Sequence, residues 1–277
     1  MSSAGKPPET GPAKEFRHQV HVDASIDEVW KALSDGAELS RWFPPLARVK
    51  PGLGGSIFLS WGPACEGEGP IIIWEPGRRL GWSETHPDPA GPVLISVIFE
   101  VQADPARGGT TVKLTHSGFG RGAKWDNMFD SISNGWKFEL KSLAHYLRRH
   151  KGIDREGVWH PVPSPLSVQQ AWRRMCAPAP GGLLQKGSLE GWTEGAPYEF
   201  VGPDGRTYRG IVERSVPDKA FAGTIDWLDD ALLRVEVERA GDGSMPCVWL
   251  SVWGPKKAGA AGVAAAWNDA LRRCVAS

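Results

Sequence analysis

The sequence has no run of about 18 apolar residues, so no segment is suited to cross a membrane as a helix. It also lacks net charge: lysine and arginine number 32 and aspartate and glutamate 32. The balance holds in both halves when the chain is divided after Gly157, so neither half carries the positive excess of a nucleic-acid or anionic-membrane binder. Cysteine is sparse. Cys65, Cys176, Cys247 and Cys274 are far apart and form no C-x-x-C, and reduced thiols in a cytoplasmic protein are the expectation. The histidines at 18, 21, 86, 116, 145, 150 and 160 make no HExxH or Cys/His spacing, so no metal and no cofactor is expected. The glycine-rich pieces PGLGG and GEGP lack a strand–GxGxxG–helix or P-loop context, and no GxSxG elbow occurs. The opening MSSAGKPPETGPAK has no apolar signal core, and residues 1–14 read as a disordered tail.

What is present suits a two-domain globular chain. At 277 residues and 41% hydrophobic, each half can bury a core. Tryptophan is abundant, with 14 residues, and its amphipathic rings suit broad packing or concave surfaces. EFRHQVHV (15–22) reads as a strand. Ser25 then sits as an N-cap with Glu28 as its capping-box partner, and the helix it opens puts Ile26, Val29, Trp30 and Leu33 on one face. From Val49 to Thr115 short β-type runs alternate with turns such as PGRR, PDPAGP and DPARGG. Consecutive strands without helices between them predict an antiparallel sheet. From Lys124 to Arg149, Met128, Ile132, Trp136, Leu140, Leu143 and Leu147 recur at spacings of three and four, one continuous helical stripe.

The scheme then repeats. LSVQQAWRRM answers IDEVWKAL, IVERSVPDKAFAGTI answers IIIWEPGRRLGWSE, CVWLSVWG answers TVKLTHSG and AAAWNDALRRC answers SNGWKFELKSL. The offsets shrink from 142 to 131 residues along the chain, as a duplicated domain that lost loop residues would show. The expected division is a first domain at 15–152, a proline-rich linker at 153–165 and a shortened second domain at 166–277. A curved sheet wrapped around a long helix leaves a space only partly filled by side chains, a pocket of roughly 300–1,000 Å³.

HVDASIDEVWKALSDGAELSRWF, IIIWEPGRRLGWSE, FEVQADPARGGTTVKLTHSGFG and GWKFELKSLAHYL resemble the heat-shock-protein-90 ATPase activator homologue family. This family belongs to the START-like superfamily, also called SRPBCC or birch-pollen-allergen-like. The resemblance covers about residues 15–150 and, in outline, the second segment. It implies an α+β helix-grip fold present twice, a curved antiparallel sheet around a long C-terminal helix with a hydrophobic cavity. It does not imply one activity.

Strand alternation assigns the faces. Leu80, Trp82 and Glu84 share one face, as do Ile95, Val97, Phe99 and Val101, and Val112, Leu114 and His116. The inward set is apolar except for Glu84 and His116, whose counterparts in the repeat are Ile225 and Val252. The expected ligand-contacting set is Trp82, Glu84, Val97, Phe99, Leu114, His116, Ile132, Trp136 and Leu140. Glu84 and His116 could move protons, orient a ligand's polar head, or be no more than a solvated rim pair. Trp249 and Trp253 lie on the parity opposite Val248, Leu250 and Val252. They are expected to be exposed, as a contact with the first domain or a second copy. The leading expectation is a protein that binds a small apolar or aromatic molecule in its first domain. The alternatives are an aromatase/cyclase-like or hydrolytic enzyme using Glu84 and His116, and a co-chaperone-type interaction module.

Overall fold

The computed structural model describes residues 14–63, 65–176 and 182–275. The chain divides into two compact units, Met1–Leu39 with Leu46–Leu140, and Ser40–Pro45 with Lys141–Ser277. The first unit begins with β1 (Lys14–Val22), α1 (Ile26–Ser34) and α2 (Gly36–Ser40), followed by β2 (Leu46–Lys50), β3 (Ser56–Ser60), β4 (Glu66–Glu75), β5 (Arg79–His86), β6 (Val93–Ala103) and β7 (Thr110–Phe119). The long helix α3 (Ala123–Arg149) comes next, and the division between the units falls inside it. The seven strands form one antiparallel sheet in the order β1-β7-β6-β5-β4-β3-β2. This is the expected α+β helix-grip arrangement, with α3 laid across the inner face of β5, β6 and β7.

Local chemistry starts and bends these elements. The predicted capping box at α1 is formed, with Ser25 N–H donating to Glu28 Oε2 at 2.8 Å and Glu28 N–H to Ser25 Oγ at 3.3 Å. Val29 and Leu33 are buried on the predicted face. The β4–β5 register shifts between Ile71 and Ile73, and such a bulge increases the local twist of a sheet that must curve.

The second unit adds β8 (Arg155–Pro161), α4 (Val168–Cys176), β9 (Pro197–Val201), β10 (Thr207–Val216), β11 (Ala220–Ile225), β12 (Ala231–Ala240), β13 (Gly243–Trp253) and α5 (Ala260–Val275). Its sheet order, β8-β13-β12-β11-β10-β9, repeats the first meander without a last strand. An isolated bridge from Lys186 to Val201 stands where that strand would pair. A capping box recurs at α4, where Ser167 N–H donates to Gln170 Oε1 at 2.9 Å and Gln170 N–H to Ser167 Oγ at 3.3 Å. The β10–β11 register shifts between Val212 and Arg214, 141 residues beyond the β4–β5 shift. That is also the spacing of Pro76 and Pro217 in the turns that follow. A bulge repeated at the same place is the mark of a duplicated scaffold.

Two expected boundaries change. The linker read at 153–165 contains β8, which pairs with β13 from Arg155↔Trp253 to Pro161↔Cys247. The prolines gather at its end and beyond, and β8 is an edge strand, where a missing N–H breaks no second ladder. The division expected at residue 152 falls between Leu140 and Lys141. The tail read at 1–14 lies outside the described residues except Lys14, which opens β1.

The interior of the second unit is filled. Trp267 of α5 is fully buried, and its indole donates to Tyr208 Oη at 2.8 Å. Phe200, Tyr208 and Trp267 pack ring on ring, with Tyr198 and Phe221 beside Phe200. Ala260, Ala264 and Ala270 are buried on α5, and small residues there let the helix lie directly on β13 and β8. Trp267→Ala is expected to cost about 3–5 kcal/mol. Equilibrium urea unfolding checks this, and a loss below about 1 kcal/mol would mean a slack interior.

Candidate functional site

The site of the first unit is built from two cross-strand rows. Trp82 pairs with Val97 and Val97 with His116, so the three side chains stand in line across β5, β6 and β7. Leu80, Phe99 and Leu114 form the adjoining row. All six are buried. Trp82 stacks on Phe99 with centroids 5.9 Å apart, and Trp136 from α3 meets Phe99 edge-on at 5.7 Å. The phase of α3 therefore delivers Trp136 onto the predicted strands. Leu140 is fully buried, and Ile132 is half-buried beside Ile95, Phe119 and Trp125.

His116 is the polar centre of this apolar set. Trp136 Nε1–H donates to its Nδ1 at 2.8 Å, while Phe119 packs against the ring at 4.9 Å. An indole nitrogen can only donate, so Nδ1 accepts and the neutral ring carries its hydrogen on Nε2. Burial, and after it the charge of His86, pushes the imidazole pKa down from 6.5 to about 3. At neutral pH it is an uncharged donor.

Glu84 lies further along β5 and is half-buried. It accepts from Trp82 Nε1–H at 3.3 Å and lies 3.4 Å from His86 Nε2. Among the described residues no bond joins Glu84 to His116. Glu84 pairs with Ile95 while His116 pairs with Val97, so the two are diagonal across an intervening strand. The polar group that sequence reasoning passed over is His86. The signal was available, because the alternation that aligns Trp82 with Glu84 extends to residue 86.

Exposure falls along α3. Beyond the buried Trp125, Met128, Phe129 and Ile132 are half-buried, whereas Trp136, Phe138, Leu140 and Leu143 are buried. The N-terminal half of the helix is thus the part more open to solvent. There the β5–β6 loop is tied to α3: Trp125 Nε1–H donates to Asp88 Oδ2 at 2.5 Å, and Lys124 Nζ to the Pro87 carbonyl at 3.0 Å. On the sheet's other side an open depression of about 350 Å³ is lined by polar groups including Arg17, Gln19, Glu100 and Lys113. It belongs to the solvent face.

Trp249 and Trp253 overturn one expectation. Their parity is as predicted, but neither is exposed: the two residues retain 6% and 0% of their accessible surface. Trp249 packs against Trp159 at 5.9 Å. Trp253 stacks on His150 at 4.5 Å with nearly parallel planes and donates to the Arg41 carbonyl at 2.8 Å. Alternation reports which face a residue is on, not what covers that face. Here the second unit's own segments, Ser40–Pro45 and the end of α3, cover Trp253. Nearby His145 Nε2 lies 2.8 Å from the Asp230 carbonyl and 3.2 Å from His150 Nε2. Burial, then the charge of His150, lowers the His145 pKa to about 3. Among the described residues no cluster of three His, Cys, Asp or Glu side chains could hold a metal ion, and no helix is long and apolar enough to cross a membrane.

Residues 23–148 match the family model described as Activator of Hsp90 ATPase homolog 1-like protein. No curated protein matches the chain. Among solved structures, a Mesorhizobium loti protein is 22% identical, aligned over 49% of this chain and 97% of its own, with a TM-score of 0.42. The Aha1 dimer from Colwellia psychrerythraea is 20% identical over 50% of this chain and 99% of its own, with a TM-score of 0.42. DynU16, from the dynemicin biosynthetic locus, is 20% identical over 96% of this chain and 99% of its own, also with a TM-score of 0.42.

The buried histidines set a pH dependence. The unfolded chain takes up a proton on each near the ordinary value of 6.5, whereas the fold resists until about 3 for His116 and His145. Their contribution to stability is therefore complete above about pH 6.5 and is lost progressively as pH falls toward 3. Each is expected to withdraw on the order of 2 kcal/mol between pH 6.5 and pH 5. Urea unfolding at several pH values measures this, and equal stability at pH 7 and pH 5 would contradict it.

Proposed function

We propose that this chain, whose residues 23–148 belong to the Activator of Hsp90 ATPase homolog 1-like family, binds a small apolar or aromatic molecule in its first unit. The molecule lies between the seven-stranded sheet and α3. Trp82, Val97, Phe99, Leu114 and His116 would form its floor, with Ile132, Trp136 and Leu140 against the other side and Glu84 at the rim. The observation that carries this reading is the graded exposure of α3. Its half-buried Met128, Phe129 and Ile132 pack against Ile95, Phe119 and Trp125, beside an aromatic interior that contains the uncharged imidazole of His116 and the buried hydroxyl of Ser133. Mostly apolar surroundings with a few placed polar groups are the ordinary make-up of a small-molecule site. The second unit, whose aromatic interior is closed around Trp267, acts as scaffold. We place the protein in the cytoplasm on its cysteines, all four of which are free.

The geometry gives less support to proton transfer by Glu84 and His116. Each is bonded to a separate indole, and an imidazole with a pKa of about 3 is a weak general base at neutral pH. Exposed tryptophans, the basis of the interaction-module alternative, are absent at Trp249 and Trp253.

Thermal unfolding with increasing concentrations of a bicyclic aromatic compound tests the binding reading. Saturation at about 100 times Kd adds about 2.7 kcal/mol of stability, seen as a rising transition temperature. Leu114→Trp, which fills the floor, is expected to remove the shift while leaving the circular dichroism of the fold intact. A shift of equal size in that variant would place binding elsewhere.

A further inference from the structure

Two buried imidazoles meet near the end of α3, within the second unit. His145 and His150 retain 2% and 5% of their accessible surface, and their Nε2 atoms lie 3.2 Å apart. His145 Nε2 also lies 2.8 Å from the Asp230 carbonyl. A carbonyl can only accept, so the neutral ring carries its hydrogen on Nε2 and leaves Nδ1 as an acceptor. That Nδ1 is buried and has no hydrogen-bond partner. The turn that presents the carbonyl is itself held in a sparsely populated shape, with Asp229 and Asp230 at φ of 55° and 56°.

A charge fits this place poorly. A proton on His145 Nδ1 would find no acceptor, and two imidazolium rings at 3.2 Å would repel each other in a buried setting. Among the charged groups around the pair, Arg148 and Arg149 of α3 oppose protonation of His145. Asp229 and Asp230, from the turn before β12, favour protonation of His150, yet burial outweighs them and its pKa is lowered. Asp229 is paired with Lys256, Asp230 with Arg149, and Arg148 with Glu213. Arg41, on the neighbouring segment, is paired with Asp154.

The pair supports the seat of that segment. Trp253 of β13 stacks on His150 at 4.5 Å, and His145 lies 5.7 Å from the same indole. The indole in turn donates to the Arg41 carbonyl at 2.8 Å. The next two carbonyls are also held by side chains of this unit. Ser142 Oγ, one turn before His145 on α3, donates to the Trp42 carbonyl, and Arg155 Nη2 to the Phe43 carbonyl, each at 2.9 Å. Trp42 and Phe43 are both buried.

We infer that His145 and His150 form an acid-sensitive latch. With both rings neutral they hold Trp253 against residues 40–45. When the pair takes up protons the rings part, and that segment comes away while the rest of the unit stays folded. The parted rings titrate near the ordinary value of 6.5, so the closed form is fully favoured above that pH and is lost as pH falls below it. Between pH 7.5 and pH 5, each histidine kept uncharged in the closed form raises the opened fraction about 30-fold.

Fluorine NMR of the full chain labelled with 5-fluorotryptophan separates local release from unfolding. The two reporting signals are assigned from Trp42→Phe and Trp253→Phe. Between pH 7.5 and pH 5, both are expected to leave their native positions together, while the other tryptophan signals and the circular dichroism stay native. His150→Phe keeps a flat ring on Trp253 and removes one titrating group, so its transition is expected about one pH unit lower. Loss of all tryptophan signals in one transition overturns the inference, as does movement of Trp253 without Trp42. Native positions for both down to pH 5, or an unmoved transition in His150→Phe, overturn it equally. Where His150→Phe fails to fold, Trp42 and Trp253 against the other signals of the wild-type protein decide alone.

Discussion

A hydrogen bond between two buried side chains ties α3 to the sheet of the first unit. Trp136 reaches from α3 to the inward nitrogen of His116 on β7, and both groups are taken out of water to make the bond. An indole nitrogen offers only a donor, so the bond also decides which imidazole nitrogen keeps its hydrogen. The tautomer follows from that contact, while burial, and after it the charge of His86, keeps the ring neutral.

The second unit shows the same scaffold without this arrangement. Its meander, capping box and bulge recur in the same order, yet the residues at the positions of Glu84 and His116 are Ile225 and Val252, both buried. The indole of Trp267 finds a tyrosine oxygen, and alanines on α5 bring that helix down onto the strands. One fold thus carries an interior with a buried histidine bonded to its helix and another in which an indole bonds to a tyrosine. Beside the absent last strand, the difference lies in a few inward side chains and in the bulk along one helix face.

Much of this was legible in the residues. A period of two placed Trp82, Val97 and His116 on one face, and a period of 3.6 brought Trp136 to them, because side-chain direction is fixed by backbone geometry. Ser25 and Glu28 announced their helix for the same local reason. What failed was what depends on neighbours distant in the chain. The burial of Trp253 requires residues 40–45 and the end of α3, and no periodicity carries that information. β8 was hidden by prolines that cluster at its end and beyond, where an edge strand tolerates them. His86 shares the parity of Glu84 but continues the strand past its apolar part, so the pattern that located the site stopped one step short of it. The pairing of Glu84 with Trp82 and His86, and not with His116, is likewise set by how side chains turn within a shared face.

The proposed binding requires unequal interiors, the first open to a guest and the second not. Xenon is the most direct probe of that difference, since it enters dry apolar space without requiring any particular polar partner. Crystals of the full chain pressurised with xenon are expected to show the atom bound among Phe99, Leu114, Ile132 and Trp136, with none inside the aromatic core around Trp267. Xenon absent from the first interior, or bound as strongly within the second, would contradict the account.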